Sequence, residues 1–513
     1  MPMQESAVVE YGTRRVLVSV AVITATLLEI VDTTIVNVAL PNIQGNFGVA
    51  VDQGAWIVTG YIIANVIVIP LSPWLAARFG RRQYFFASIL LFTVASLMCG
   101  LAPNFSSLVF WRIVQGLGGG GLISTSQATL RDTFPAKAQG AAQGIFAMGV
   151  IVGPALGPLI GGWFTDNLTW RWAFFVNLPV GIVAAVLTWF YLRNPEKPQF
   201  RKLDWLGLGM LAVGLGSMQY VLDQGQSYDW FADPNITLFA LLAFVGLTSF
   251  VVWTLRSTIP VVDLRVLRFR QVFAGSILGM VLGISLYGSV LVLPQYLQNS
   301  LGFTATMSGE TILVRALAVM AFTPLTAALA GRGIVDVRIS TALGFVLLGI
   351  SNWVLADVTT PVSQFSTFIV ALVISGIGLS QIFVPLSLAV LGGVPDKDVP
   401  ATSAFFNLSR QVGGSIATAV LVTLLVRGVS VHQTDLSSTV NLRSPATAQY
   451  LQKNGGERSS QGLANLENLV ADQALVQSYS DTSRLVAVVS IALAPLVLLL
   501  KRPRLGTAPG AAE

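Results

Sequence analysis

The sequence predicts an all-α polytopic membrane protein with about fourteen transmembrane helices, and three observations carry that prediction. Of its 513 residues 54% are hydrophobic and only 11% charged, far below the roughly 25% charged share of a soluble domain. The apolar residues fall in repeated stretches of about 18 to 25, each long enough to cross a hydrocarbon layer of about 30 Å as a helix. Lysine and arginine gather in alternate connections between those stretches. Lipid offers backbone groups no hydrogen-bond partners, so spans of this length must be helices.

In chain order the expected spans are 17–40, 54–73, 84–102, 107–130, 141–163, 173–192, 204–222 and 236–255, then 272–294, 309–330, 339–356, 364–391, 402–426 and 484–500. The first follows Arg14 and Arg15 and is too long and too acidic for a signal-peptide core, so it reads as a retained span. With this map roughly 21 of the 30 Lys and Arg lie on the side of the N-terminus, in clusters such as Arg78, Arg81 and Arg82 or Arg193, Lys197, Arg201 and Lys202. The positive-inside rule then puts both termini in the cytoplasm. The expected organisation is a cytoplasmic N-terminus (1–16), a first six-helix unit (17–192), a linker with two inserted helices (193–271), a second six-helix unit (272–500) with a long outer segment (428–483), and a cytoplasmic tail (501–513). Within the outer segment Leu463, Leu466, Val470 and Leu475 recur near helical spacing, so the last helix is expected to begin outside the membrane.

Several function classes are excluded early. The net charge of +6 is a property of the connections rather than of one basic face, which argues against nucleic acid and for the lipid bilayer as the surrounding partner. Cys99 is the only cysteine and His432 the only histidine, which rules out an intramolecular disulfide, a CxxC centre and bis-histidine haem, and no metal site is expected. Phosphate-loop, HExxH and GxSxG patterns are missing, so the chain carries no recognisable ATP engine or hydrolase signature. No cofactor is expected, the proton being the coupling ion, and proton chemistry inside the membrane must then use carboxylates.

Few carboxylates lie well inside the apolar runs. Glu29 and Asp32 sit three residues apart in the first span and share a helix face, with Glu310 near an end of the tenth. Repulsion and desolvation oppose ionising both, which makes the pair a proton switch. The structural alternative is a buried ion pair holding helices together, with Arg112 of the fourth span as partner for either acid. Arg315 and Arg410, the other intramembrane cations, are read as structural. Asn37, Trp56, Tyr61, Asn65, Gln115, Gln127, Tyr287, Gln295 and Gln381 are candidates to line an amphipathic substrate cavity, although each taken singly is more often packing or an interface anchor. In the fifth span Gly149, Gly153, Gly157 and Gly161 recur every four residues with Pro154 and Pro158 between them, a smooth face suited to packing or gating.

These residues resemble the major facilitator superfamily, specifically its fourteen-span drug:proton antiporters. The most specific parts are the run from Leu28 to Pro41 (LEIVDTTIVNVALP) and the RxxQGxGGG pattern beginning at Arg112. GPALGP at Gly153 to Pro158, with Gly161 and Gly162, resembles the family's antiporter motif and implies export. The loop around Arg78, Gly80, Arg81 and Arg82 resembles the family's cytoplasmic loop motif, with Ala77 where an aspartate is usual and Pro73 where the first glycine is usual. The resemblance implies two six-helix bundles with two inserted helices and alternating access about a central cavity. Gln473 to Asp481 (QALVQSYSD) resembles exporters that work with a periplasmic adaptor and an outer-membrane channel, and so implies such a partner. The expected function is proton-coupled export of small amphipathic or hydrophobic compounds across a bacterial inner membrane. A metabolite exporter or symporter would use the same fold, and a scaffold or receptor would use the same acids as struts. Substrate-dependent proton flux and its direction separate the three.

Overall fold

The structure, a computed structural model, describes residues 9–194, 202–258, 260–440, 445–453 and 460–500. The described residues are helical, with short connections. The first unit comprises α1 (Gly12–Phe47), α2 (Val51–Phe79), α3 (Arg81–Gly100), α4 (Phe105–Gly119), α5 (Leu122–Thr133), α6 (Gln139–Asn167), α7 (Trp172–Phe175) and α8 (Asn177–Tyr191). An inserted pair follows, α9 (Trp205–Gln224) and α10 (Pro234–Arg256). The second unit comprises α11 (Arg270–Asn299), α12 (Ala305–Gly331), α13 (Val337–Val358), α14 (Phe365–Leu391), α15 (Val399–Thr439), α16 (Pro445–Lys453) and α17 (Ser460–Leu493).

Twelve described helical stretches, one of them running through α7 and α8, are long and apolar enough to cross a membrane. The 30-residue α11 and the broken pair α4–α5 add two more passes. The fourth expected span is therefore two helices. It is interrupted at Gly120 and Gly121, where α4 lies so close to its neighbours that a side chain would collide. A Cβ on Gly118 would stand 2.7 Å from the Phe92 amide nitrogen, and one on Gly120 would strike the Asn65 carbonyl.

Polar caps fix several ends. Asn104 accepts from the Ser107 amide at the start of α4, and Asp233 accepts from Asn235 and Ile236 just behind Pro234 at the start of α10. Asp204 caps α9 through Gly207 and also accepts from the Trp253 indole, which ties the two inserted helices together.

Both described chain ends lie on one face, here the terminal face: Glu10 donates its amide to Thr133, and Arg270 reaches the Leu499 carbonyl. At this face the two units share apolar cores. Val22, Phe146, Phe383 and Leu386 belong to one cluster, and Ala128, Val272, Leu391 and Val399 to another. Toward the opposite face the cores separate. Ile35, Ile57, Cys99 and Phe174 form one in the first unit; Leu297, Ile312, Phe368 and Tyr479 form one in the second, touched from the first unit by Val152 and Ala155 of α6. The molecule is thus sealed between its halves at the terminal face. Helix α6 lies between α1 and α12, and α9 docks on both α2 and α15, where Ser415 donates to Gln219 at 2.8 Å.

The 41-residue α15 and 34-residue α17 run on as helices into the expected outer segment, packed together by Ser478 donating to the Leu425 carbonyl. Residues 441–444, 454–459 and 501–513 lie outside the described residues, as do Lys197 and Arg201.

Candidate functional site

Helix α1 carries both acids, and they occupy unlike surroundings. Asp32 is fully buried and its carboxylate is saturated. Arg112 donates to Oδ2 at 2.6 Å, and Gln115 and Asn177 donate to Oδ1 at 2.9 and 2.7 Å. Arg112 and Gln115 reach the same carboxylate because three residues along α4 put them on one face. The guanidinium is satisfied in turn: its Nε donates to the Ile57 carbonyl at 3.0 Å, Nη1 also donates to Gln115, and the Tyr61 ring lies 4.3 Å away. Behind Asn177, Ser96 accepts its second bond and donates to the Phe174 carbonyl. This network joins α1, α2, α3, α4 and α8, and it is built as a strut.

Glu29, one turn earlier, is also buried but makes no ion pair among the described residues. Asn65 donates to Oε1 at 2.9 Å and the Ile123 amide to Oε2 at 3.3 Å. That amide is available because the chain breaks at Gly120 and Gly121: α5 starts afresh, and its first N–H groups have no intrahelical acceptor. Arg410 of α15, in the other half, is buried 5.5 Å from the Phe383 ring.

The four spaced glycines of α6 lie against α1. Gly149, Gly153, Gly157 and Gly161 face Ile23, Ile30, Thr34 and Ile35, and a Cβ on Gly153 would come within 2.6 Å of Ile30. Pro154 and Pro158 lie inside the same helix. The glycine face therefore packs directly on the helix that bears both acids, and α6 passes that contact to α12.

The loop motif takes part in a charge chain along the terminal face. Arg81 pairs with Asp132 at 2.6 Å, Arg131 lies 3.5 Å from the same carboxylate, and Arg131 pairs with Asp396 of the second unit at 2.8 Å. Gly80 adopts φ 91° at the turn, and Arg82 lies over Trp189. Arg78 stacks near Phe79, beside Ala77. Deeper in the seam Gln127 accepts from Ser403 and Asn407 at 2.9 and 2.8 Å and donates to Ser387 at 3.3 Å, so one side chain of the first unit holds three of the second.

The proposed cavity residues do not come together in one wall. Tyr61 and Gln115 belong to the strut, Asn65 serves Glu29, and Gln127 sits in the seam. Trp56 stacks with Tyr220 of α9, and Gln381 bonds to Ser340 and Thr326 within the second unit. Asn37 is exposed and Gln295 half-buried; Tyr287 has its side chain outside the described residues. Polar residues in lipid-embedded helices satisfy one another first, and residue type alone does not reveal which do so.

Sequence reasoning did not single out Asn177, Ser96, Ser403 and Asn407, or the pairing of Asp132 and Arg131 with Asp396. Asn177 carried a signal, an amide beside an apolar run, but only the fold aims it at Asp32.

Two halves of membrane-spanning helices joined by an inserted pair, with buried charge confined to their interior, define a secondary transporter. The chain belongs to the Major Facilitator Superfamily, whose family model matches residues 22–418. It is 32% identical over 504 residues to the Multidrug export protein EmrB of Escherichia coli (strain K12), covering 98% of each chain. It is 33% identical over 484 residues to the Fatty acid resistance protein FarB of Neisseria gonorrhoeae, covering 93% of this chain and 94% of that one. Among solved structures, the human organic anion transporter MFSD10 superposes with a TM-score of 0.59 at 12% identity, covering 94% of this chain and 100% of that one; the likeness establishes the fold.

Proposed function

We propose that this protein is a proton-coupled antiporter that exports small amphipathic or hydrophobic compounds by alternating access. The relatives named for multidrug export and fatty acid resistance support the substrate class. The observation that carries the coupling is the unlike pair on α1: Asp32 is locked to Arg112, whereas Glu29 is held only by neutral donors. Glu29 is then the acid that takes up and releases the proton, and Asp32 with Arg112 forms the frame that keeps α1 aligned while it does so. This assigns to two residues the distinct roles that the sequence left shared.

One proton entering down about 100 mV and about one pH unit provides about 3.7 kcal/mol, enough for a several-hundredfold gradient of a neutral compound. In this reading the terminal face is cytoplasmic in a bacterial inner membrane, and a periplasmic adaptor docks on the projecting parts of α15 and α17.

The test is substrate-driven proton movement in proteoliposomes with one neutral hydrophobic compound and one lipophilic cation. Flux abolished by Glu29→Gln in a folded protein supports the reading. Unchanged flux in that variant removes Glu29 from the mechanism, and absence of flux with every compound removes the antiporter.

A further inference from the structure

A groove runs between α6 and α12 at the terminal face, outside the acidic site, and it is built like a lipid site. Its volume is about 380 Å³, within the roughly 300–1,000 Å³ of small-ligand sites. Its walls are apolar, with Ile145 and Met148 on α6 facing Pro324 and Ala328 on α12. Pro324 and Ala328 are exposed, so the groove opens on the outside of the bundle, where hydrocarbon surrounds it. The space exists because the helices meet through small residues: a Cβ on Gly144 would stand 3.0 Å from that of Ala327.

Two further observations point to a ligand. Lys137 and Arg332 stand at the mouth, both exposed and neither in an ion pair among the described residues, and no acid lines the groove. In the wall, Thr323 is fully buried with a hydroxyl that has no hydrogen-bond partner among the described residues. Apolar walls below a pair of cations at the membrane surface complement a molecule with an acyl chain and an anionic headgroup.

We infer that this groove binds an anionic phospholipid, with an acyl chain between α6 and α12 and the phosphate between Lys137 and Arg332. Lys137 belongs to the first unit and Arg332 to the second, so one phosphate touches both halves. A bound lipid therefore ties them together at the sealed face and favours this arrangement over one in which that face opens. The inference does not depend on which compound is transported or on how protons are coupled.

The test is native mass spectrometry of the purified full chain titrated with phosphatidylglycerol, phosphatidylcholine or glycerol 3-phosphate. The expected result is retention of one phosphatidylglycerol at least tenfold better than phosphatidylcholine, with no comparable binding of glycerol 3-phosphate. Each cation is worth roughly fivefold, so Lys137→Gln with Arg332→Gln lowers retention by about twenty-five-fold. Ala328→Trp fills the groove at an exposed position and abolishes retention even where the charge variants fold poorly. Equal retention of the two lipids, retention unchanged by Ala328→Trp, or glycerol 3-phosphate binding as tightly as the lipid overturns the proposal.

Discussion

Asp32 and Arg112 approach to 2.6 Å in a site where neither side chain is more than 1% exposed. Both were taken out of water, and the attraction between them, with the bonds from Gln115, Asn177 and the Ile57 carbonyl, offsets that cost only while the set is complete. Removing one charge leaves the other buried and uncompensated.

Asp32→Asn is therefore expected to destabilise the protein by about 3–5 kcal/mol, and Glu29→Gln by only about 1–2 kcal/mol, since its amide oxygen keeps the bond from Asn65 while its NH2 can no longer accept from the Ile123 amide. Denaturant or thermal unfolding in detergent reads the difference. Equal losses in the two variants would show that the strut assignment is wrong.

The α1–α6 contact gives a graded series along one helix face. Gly149→Ala meets its nearest neighbour at 3.5 Å and should be tolerated. Gly153→Ala, at 2.6 Å from Ile30, should cost about 1–3 kcal/mol by overpacking. Transport and melting temperature measured together across the series should fall in that order. A Gly149→Ala variant as impaired as Gly153→Ala would contradict the packing account.

Gln127 joins the halves through Ser403, Asn407 and Ser387. Gln127→Ala removes these bonds, at about 1 kcal/mol each, and should raise the population opened at the terminal face tenfold or more. A cysteine at Leu391 reports this through maleimide labelling, against the background of Cys99, which is fully buried. A labelling rate that does not change would show that the seam is held elsewhere.

The charge chain on the terminal face should be unequal in its parts. Asp396 is 82% exposed, so its pair with Arg131 should contribute well under 1 kcal/mol and Asp396→Asn should leave stability unchanged. Arg81 and Asp132 are only 9% and 15% exposed, and Asp132→Asn should be measurably destabilising. A melting series at low and high salt separates them, because only the exposed pair is screened.

Most of the architecture was legible because a bilayer imposes length and apolarity on every span. Arg112 could be named as a partner for either acid, since buried charge in lipid must find a counter-charge. Which acid it serves was not legible. That choice is made by the register of α4 against α1, and by Asn177 arriving from a helix distant in sequence. The break at Gly120 and Gly121 was hidden for another reason: a glycine run is as apolar as the helix it interrupts. Hydropathy therefore reports one helix where the backbone makes two, and the amide of Ile123 is free to serve Glu29 only because of that break. The projecting part of α15 was obscured by its polar composition, which reads as a loop although the chain remains helical, whereas that of α17 was legible from Leu463, Leu466, Val470 and Leu475 at helical spacing.

That projection has a mechanical meaning. At 41 residues α15 is about 60 Å long, twice the thickness of a hydrocarbon layer, so about half of it stands clear of the membrane. A rod of this kind is a lever whose short arm is buried in the seam beside Gln127 and whose long arm points away from the termini. A tilt of about 10° in the seam sweeps the far end of a 40 Å arm through about 7 Å. Such a tilt would carry side chains on the tip of α15 farther than any group near the acids.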